Sequence, residues 1–193
     1  RSPVPGAPGT QPAPAGSRQP LGSGSGRYTA LRSTAPNLVR GDTNATSDVF
    51  VRDNIAETTE RVSVATGGAQ GNGSSTGPSI SNDGRYVAFL SAASNLAPDG
   101  DTAIDVFVHD RTAGTTELVS VNDDESSISN PASLAVMSGD GRSVAFSYGV
   151  TRQFDGFPQP VLPHGPFIRH LGTRSTTHAG GSAASNLVTP TSF

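Results

Sequence analysis

Apolar residues come in short bursts along most of this chain, each set between turn-forming residues, and no window carries a helical period. The run Tyr86, Val87, Ala88, Phe89, Leu90 is almost wholly apolar, as expected of a strand buried on both faces. Residues 105–110 alternate instead, with Val106 and Val108 on one side and Phe107 and His109 on the other. Residues 116–121 do the same, Leu118 and Ser120 opposing Val119 and Val121. Residues 79–81 supply a fourth, shorter strand candidate. Asn82, Asp83 and Gly84 form a turn signal before the apolar run, and Thr112, Ala113 and Gly114 another before the last strand. The pattern predicts an all-β chain.

The same pattern occurs more than once. Asp-Val-Phe-Val-Arg-Asp at 48–53 returns as Asp-Val-Phe-Val-His-Asp at 105–110, and Thr-Thr-Glu-Arg-Val-Ser-Val at 58–64 returns as Thr-Thr-Glu-Leu-Val-Ser-Val at 115–121. Asp-Gly-Arg-Tyr-Val-Ala-Phe at 83–89 returns as Asp-Gly-Arg-Ser-Val-Ala-Phe at 140–146. All three share one offset of 57 residues, as 48 to 105 shows, so the chain has a repeat architecture. Four short antiparallel strands per unit are what a propeller blade requires, because a single sheet cannot cover both its faces and stacking blades does so. A β-sandwich is the competing architecture, but it needs no such repeat. About three units are expected, at 27–77, 78–132 and 133–193, the last degenerate. In that last unit, residues 167–170 and 175–178 are only faint strands, and residues 182–187 repeat residues 91–96 with no Asp-Val-Phe-Val after them. The first unit lacks an opening strand, since Gly22 to Gly26 stands where one should be. Residues 1–26, rich in Pro, Gly and Ser, read as a disordered tail or linker.

The segment Ser-Ile-Ser-Asn-Asp-Gly-Arg-Tyr-Val-Ala-Phe at 79–89 resembles the WD40-like repeats of TolB-type β-propellers, the PD40 family. The strands at 105–110 and 116–121 resemble the two that follow in such a blade, and the likeness extends over about residues 27–146. It implies propeller blades in a binding or scaffolding role. The long loop at 94–105 resembles a variant common in extracytoplasmic bacterial proteins, which implies a secreted or extracytoplasmic location. The resemblance implies no catalytic residue. Closed propellers have about four to eight blades, so a chain of three is expected to be part of a longer propeller or to complete a ring by self-association.

Composition narrows the classes further. The chain of 193 residues has no Cys, which excludes disulfides, thiolate metal sites and a Cys nucleophile. A net charge of −3 argues against nucleic acid as a partner. No apolar run approaches the roughly 18–20 residues of a membrane-spanning helix, so no membrane insertion is expected.

Two loops hold candidate metal ligands. Asp42, Asn44 and Asp48 in the first unit, and Asp99, Asp101 and Asp105 in the second, gather oxygen side chains of the kind Ca²⁺ takes. Neither matches an EF-hand loop, and the competing reading is that these side chains cap turns and open strands. His109, His164, His170 and His178 share no ligand spacing and read as surface or rim residues. Gly73 to Gly77 fits the letters of a nucleophile elbow at Ser75, but without the strand-to-helix setting it reads as a flexible loop. Arg40, Gly41 and Asp42 match an adhesion tripeptide by letters alone. Asp123, Asp124 and Glu125 read as a solvated acidic run. The functional expectation is a non-catalytic, extracytoplasmic module that presents blade loops to a protein or glycan, partner choice lying in residues 65–78 and 121–133. The alternatives are an accessory propeller of a peptidase or polysaccharide-degrading enzyme, and a calcium-stiffened element of a surface assembly.

Overall fold

A computed structural model of the chain describes residues 18–98, 103–126, 128, 131–148 and 166–178. They form three four-stranded antiparallel sheets, each with its strands in chain order. The first holds β1 (Arg18–Gly22), β2 (Tyr28–Ser33), β3 (Asp48–Asp53) and β4 (Thr58–Arg61). The second holds β5 (Ser75–Ile80), β6 (Tyr86–Ser91), β7 (Asp105–Asp110) and β8 (Thr115–Leu118). The third holds β9 (Ala132–Met137), β10 (Ser143–Tyr148), β11 (Phe167–His170) and β12 (Ser175–His178). The repeat is therefore one sheet copied, as propeller blades require. Three blades are fewer than the four or more that close a ring.

The period of two along each strand decides how blades stack. On β6, Val87 and Phe89 pack toward the first blade with Ala30, Val49, Val51 and Val62. Their neighbours Ala88 and Leu90 pack the other way, with Ala135, Met137, Val144 and Phe146 of the third blade. β7 divides likewise, Phe107 to one side and Val106 with Val108 to the other. Phe50, Phe89, Phe107 and Phe146 are all fully buried, and each such ring contributes about 2–3 kcal/mol by leaving water. The middle blade is covered on both faces by its two neighbours.

Three expectations need correction. The predicted tail of residues 1–26 ends earlier, because Arg18–Gly22 is a strand: Leu21 pairs with Ala30 and Gly22 with Thr29. β1 pairs with β2 and lies against β5, so the first unit has the opening strand that its sequence was expected to lack. Residues 1–17 lie outside the described residues, as do 149–165 and 179–193, which hold His164 and the second copy of residues 91–96. The second blade opens at Ser75 rather than 78, so Ser75 and Gly77 belong to a strand and not to a flexible loop. A register shift between Thr76 and Ser79 admits Gly77, at φ 60°, and Pro78, which has no amide to donate. The third blade keeps all four strands where its sequence pattern fades. Finally, the outer strands stop at Arg61 and Leu118, because Val62 and Val119 turn inward to bond back to the Val49 and Val106 carbonyls.

Candidate functional site

The long loops between second and third strands meet the blade-to-blade links at one end of the sheets. There the first candidate metal loop is closed on itself. The Asp42 and Asp48 carboxylates lie 3.5 and 3.7 Å from the Arg61 guanidinium, and Gln70 Nε2 donates to both at 3.0 and 3.2 Å. Asn44 donates to Asp48 at 3.1 Å and to the Gly71 carbonyl at 2.9 Å. Asp48 also accepts from Ser63 Oγ at 2.6 Å, whose oxygen takes the Val49 amide. Burial pushes the Asp48 carboxyl above its ordinary range, against the pull of Ser63 and Arg61. The structure thus brings Asp42, Asn44 and Asp48 together as expected, but around a guanidinium and two amides. The Asp42 and Asp48 side chains are both buried here, and Asp42 is too buried to be presented as an adhesion tripeptide.

In the second blade Asp105 and Ser120 repeat the Asp48 and Ser63 contact at 2.6 Å. Asp99 and Asp101 lie outside the described residues. Among the described residues, no group of three or more His, Asp and Glu side chains is placed to hold a metal ion.

The other expected chemistry is absorbed by packing. His109 is buried, with Nδ1 2.8 Å from Thr116 Oγ1, and burial lowers its pKa. It is not the rim residue expected, because the alternation of β7 sets it on the face of Phe107, toward the first blade and Glu60. His170 bonds Ser143 at 3.0 Å, and His178 meets the Phe167 ring edge-on. Ser75 Oγ lies 2.9 Å from Ser91 Oγ, both buried. The acidic run is exposed as expected, and from it Glu125 also bonds Arg169 at 2.5 Å and Arg174 at 3.1 Å, so it ties the second blade's exit to the third blade.

What the sequence reading missed is an apolar groove on the opening strands. Leu21, Leu134 and Val136 are exposed by 49, 54 and 46%, and all three line one concavity with Gly77, Pro78 and Leu90. On β9, Ala135 and Met137 take the buried face while Leu134 and Val136 take the open one. The signal was present: a strand apolar in both phases of its alternation has a second face to cover.

No family model matches this chain, and no curated protein matches it. Among solved structures, TolB from Acinetobacter baumannii superposes with a TM-score of 0.51 at 16% identity, over 84% of this chain and 31% of that one. A TolB candidate from Agrobacterium tumefaciens gives 0.50 at 15% identity, over 83% of this chain and 49% of that one. The tricorn protease gives 0.52 at 13% identity, over 90% and 14%. The chain spans less than half the length of each. Among the described residues no helix is long and apolar enough to cross a membrane. Repeat, sheet order and these likenesses agree on one conclusion: the chain has the TolB-like β-propeller fold, with three blades among the described residues.

Proposed function

We propose that the chain is a non-catalytic propeller module that binds a protein partner along the groove of its opening strands, outside the cytoplasm. The observation that carries the reading is the convergence of Leu21, Leu134 and Val136, three of the five exposed large apolar side chains among the described residues, on one concavity. Such a patch favours a polypeptide over a glycan, which would call for exposed aromatic faces, and Tyr28, Tyr86 and Tyr148 are all partly buried. The extracytoplasmic location rests on the resemblance to TolB-type blades.

A photo-crosslinking residue placed at 134 or 136 tests the reading, with Ile55 as control since it is 74% exposed and does not line the groove. A discrete adduct with another protein from 134 and 136 but not from 55 is expected. Equal labelling from all three positions, or saturable binding on a glycan array with no protein adduct, would overturn it. An adduct between two copies would instead identify the groove as a self-association surface. Calcium binding by Asp99, Asp101 and Asp105 is a second proposal, supported by Leu118 standing where Arg61 occupies the first loop. Melting curves in Ca²⁺ and in EDTA test it.

A further inference from the structure

The two junctions between blades are built alike but filled differently. At the first, Arg111 reaches back from the second blade into a notch made by Tyr28, Glu60 and Gly84. Its Nε donates to the Glu60 carboxylate, its Nη1 to the Gly84 carbonyl, and its guanidinium carbon lies 4.5 Å from the centre of the Tyr28 ring. The planar fork is used on two edges and one face, a combination that an ammonium cannot reproduce.

At the second junction every component except the arginine recurs. Tyr86 stands for Tyr28, since each opens its strand opposite the matching aspartate, Asp110 or Asp53. Glu117 stands for Glu60, paired with Val108 as Glu60 is with Val51. Gly141 stands for Gly84, both in turns with positive φ and both so close to the tyrosine ring that a Cβ would clash at 2.6 or 2.0 Å. The place of Arg111 is taken by Leu171: the amide of each bonds the carbonyl of the arginine that precedes the tyrosine or serine on the second strand, Arg85 or Arg142, at 2.9 Å. Leu171 packs on the apolar cluster and offers Glu117 nothing to bond. Among the described residues the exposed Glu117 carboxylate has no hydrogen-bond or ion-pair partner, although the charges of Arg174 and Arg169 act on it from the third blade.

The vacated notch is an open cleft of about 510 Å³, within the roughly 300–1,000 Å³ of ligand sites. Four carboxylates line it, those of Asp83, Asp110, Glu117 and Asp140, against the two guanidinium groups of Arg85 and Arg142. Arg85 is already paired with Asp110 at 2.7 Å and stacked 4.7 Å from Tyr86. The lining therefore holds two more acidic than basic side chains, with Arg169 and Arg174 acting on Glu117 from the third blade, and it sets Gly141, Glu117 and the Tyr86 ring in the positions whose counterparts hold a guanidinium one blade earlier.

We propose that the cleft between the second and third blades receives an arginine side chain of a partner polypeptide, in the place that Arg111 fills between the first and second. The site is separate from the apolar groove, and its failure leaves the groove reading untouched.

The test is a titration of the full chain with the blocked tripeptide acetyl-Gly-Arg-Gly-amide, followed by NMR at the Tyr86, Glu117 and Gly141 amides. Lysine and citrulline analogues serve as comparisons. Saturable shifts with a Kd of about 1–10 mM are expected for the arginine peptide, and binding at least about fivefold weaker for both analogues. Leu171→Arg, which supplies the missing guanidinium from within, should abolish the saturable shifts, and Glu117→Gln should weaken them about fivefold or more. The comparison of arginine with lysine needs no variant and holds even where a substitution disturbs folding. No saturable shift, equal affinity for arginine and lysine peptides, or binding unchanged by Leu171→Arg in a folded protein would each overturn the proposal.

Discussion

The second and third blades form the same meander from sequences of very different clarity. In the second, six consecutive residue pairs join β6 to β7, from Tyr86 opposite Asp110 to Ser91 opposite Asp105. In the third, only four pairs join β10 to β11, from Ser143 opposite His170 to Phe146 opposite Phe167. The aromatic pair survives in both: Phe89 stacks on Phe107 with centroids 6.0 Å apart, and Phe146 on Phe167 at 5.6 Å. What changes is cover. Phe107 is wholly buried between two blades, whereas Phe167 is half-buried and keeps company with Tyr148 and His178. The central pair is aromatic in these two blades and Leu31 opposite Phe50 in the first, while the long apolar run of β6 belongs to the blade with a neighbour on each side.

The largest effect that would break this comparison is at the aromatic pair. Phe107→Ala should cost about 3–5 kcal/mol and Phe167→Ala roughly half as much, read from urea midpoints at constant m. Equal losses would mean that the third blade is packed as tightly as the second. Next comes the first blade's internal cation. Arg61→Leu gives the first blade the residue the second has at Leu118, and it should cost about 2 kcal/mol because Asp42 and Asp48 lose their shared partner. Since burial already raises the Asp48 pKa, the unfolded chain ionises more readily, and the deficit should be larger at pH 8 than at pH 4. An identical deficit at both pH values would remove Asp48 from the account.

His109 offers a smaller handle, because Arg52 and Arg169 hold its place in the flanking blades. Its folded pKa is lowered by burial, so the unfolded chain takes up the proton first. The stability it contributes is fully present above about pH 6.5 and is lost as pH falls below that value, by at most about 1.4 kcal/mol per pH unit. His109→Gln should flatten the pH dependence of unfolding between about pH 6.5 and 5; an unchanged slope would count against a buried neutral imidazole. The smallest effect lies in the hairpin between third and fourth strands, where Glu57, Gly114 and Arg174 all take positive φ. Glu57→Gly should stabilise by about 0.5 kcal/mol and Gly114→Glu should destabilise by a similar amount, read from thermal midpoints.

Much of the fold was legible because it depends on short-range alternation. The bounds of β6 and β7 follow from the runs at 86–91 and 105–110, and the faint segments at 167–170 and 175–178 coincide with β11 and β12. β1 was hidden because its contribution is made by backbone pairing with β2, not by apolar side chains. Its trace was there: Ser23, Gly26, Arg27 and Tyr28 match Ser81, Gly84, Arg85 and Tyr86, and the Tyr28 amide bonds Ser23 as the Tyr86 amide bonds Ser81. The candidate metal loop was legible as a cluster of Asp42, Asn44 and Asp48. That Arg61 and Gln70 fill it was not, since those residues lie on another strand and another loop.

The sequence by itself determined the repeat, the strand alternation and the turns, since each depends on residues a few positions apart and on the period of a pleated strand. Tertiary structure alone decided which faces meet, which carboxylates find a cation and which hollow stays open. Those outcomes turn on side chains brought together from separate blades: Arg111 closes one junction and Leu171 leaves the next one open, and the difference exists only once the blades are stacked.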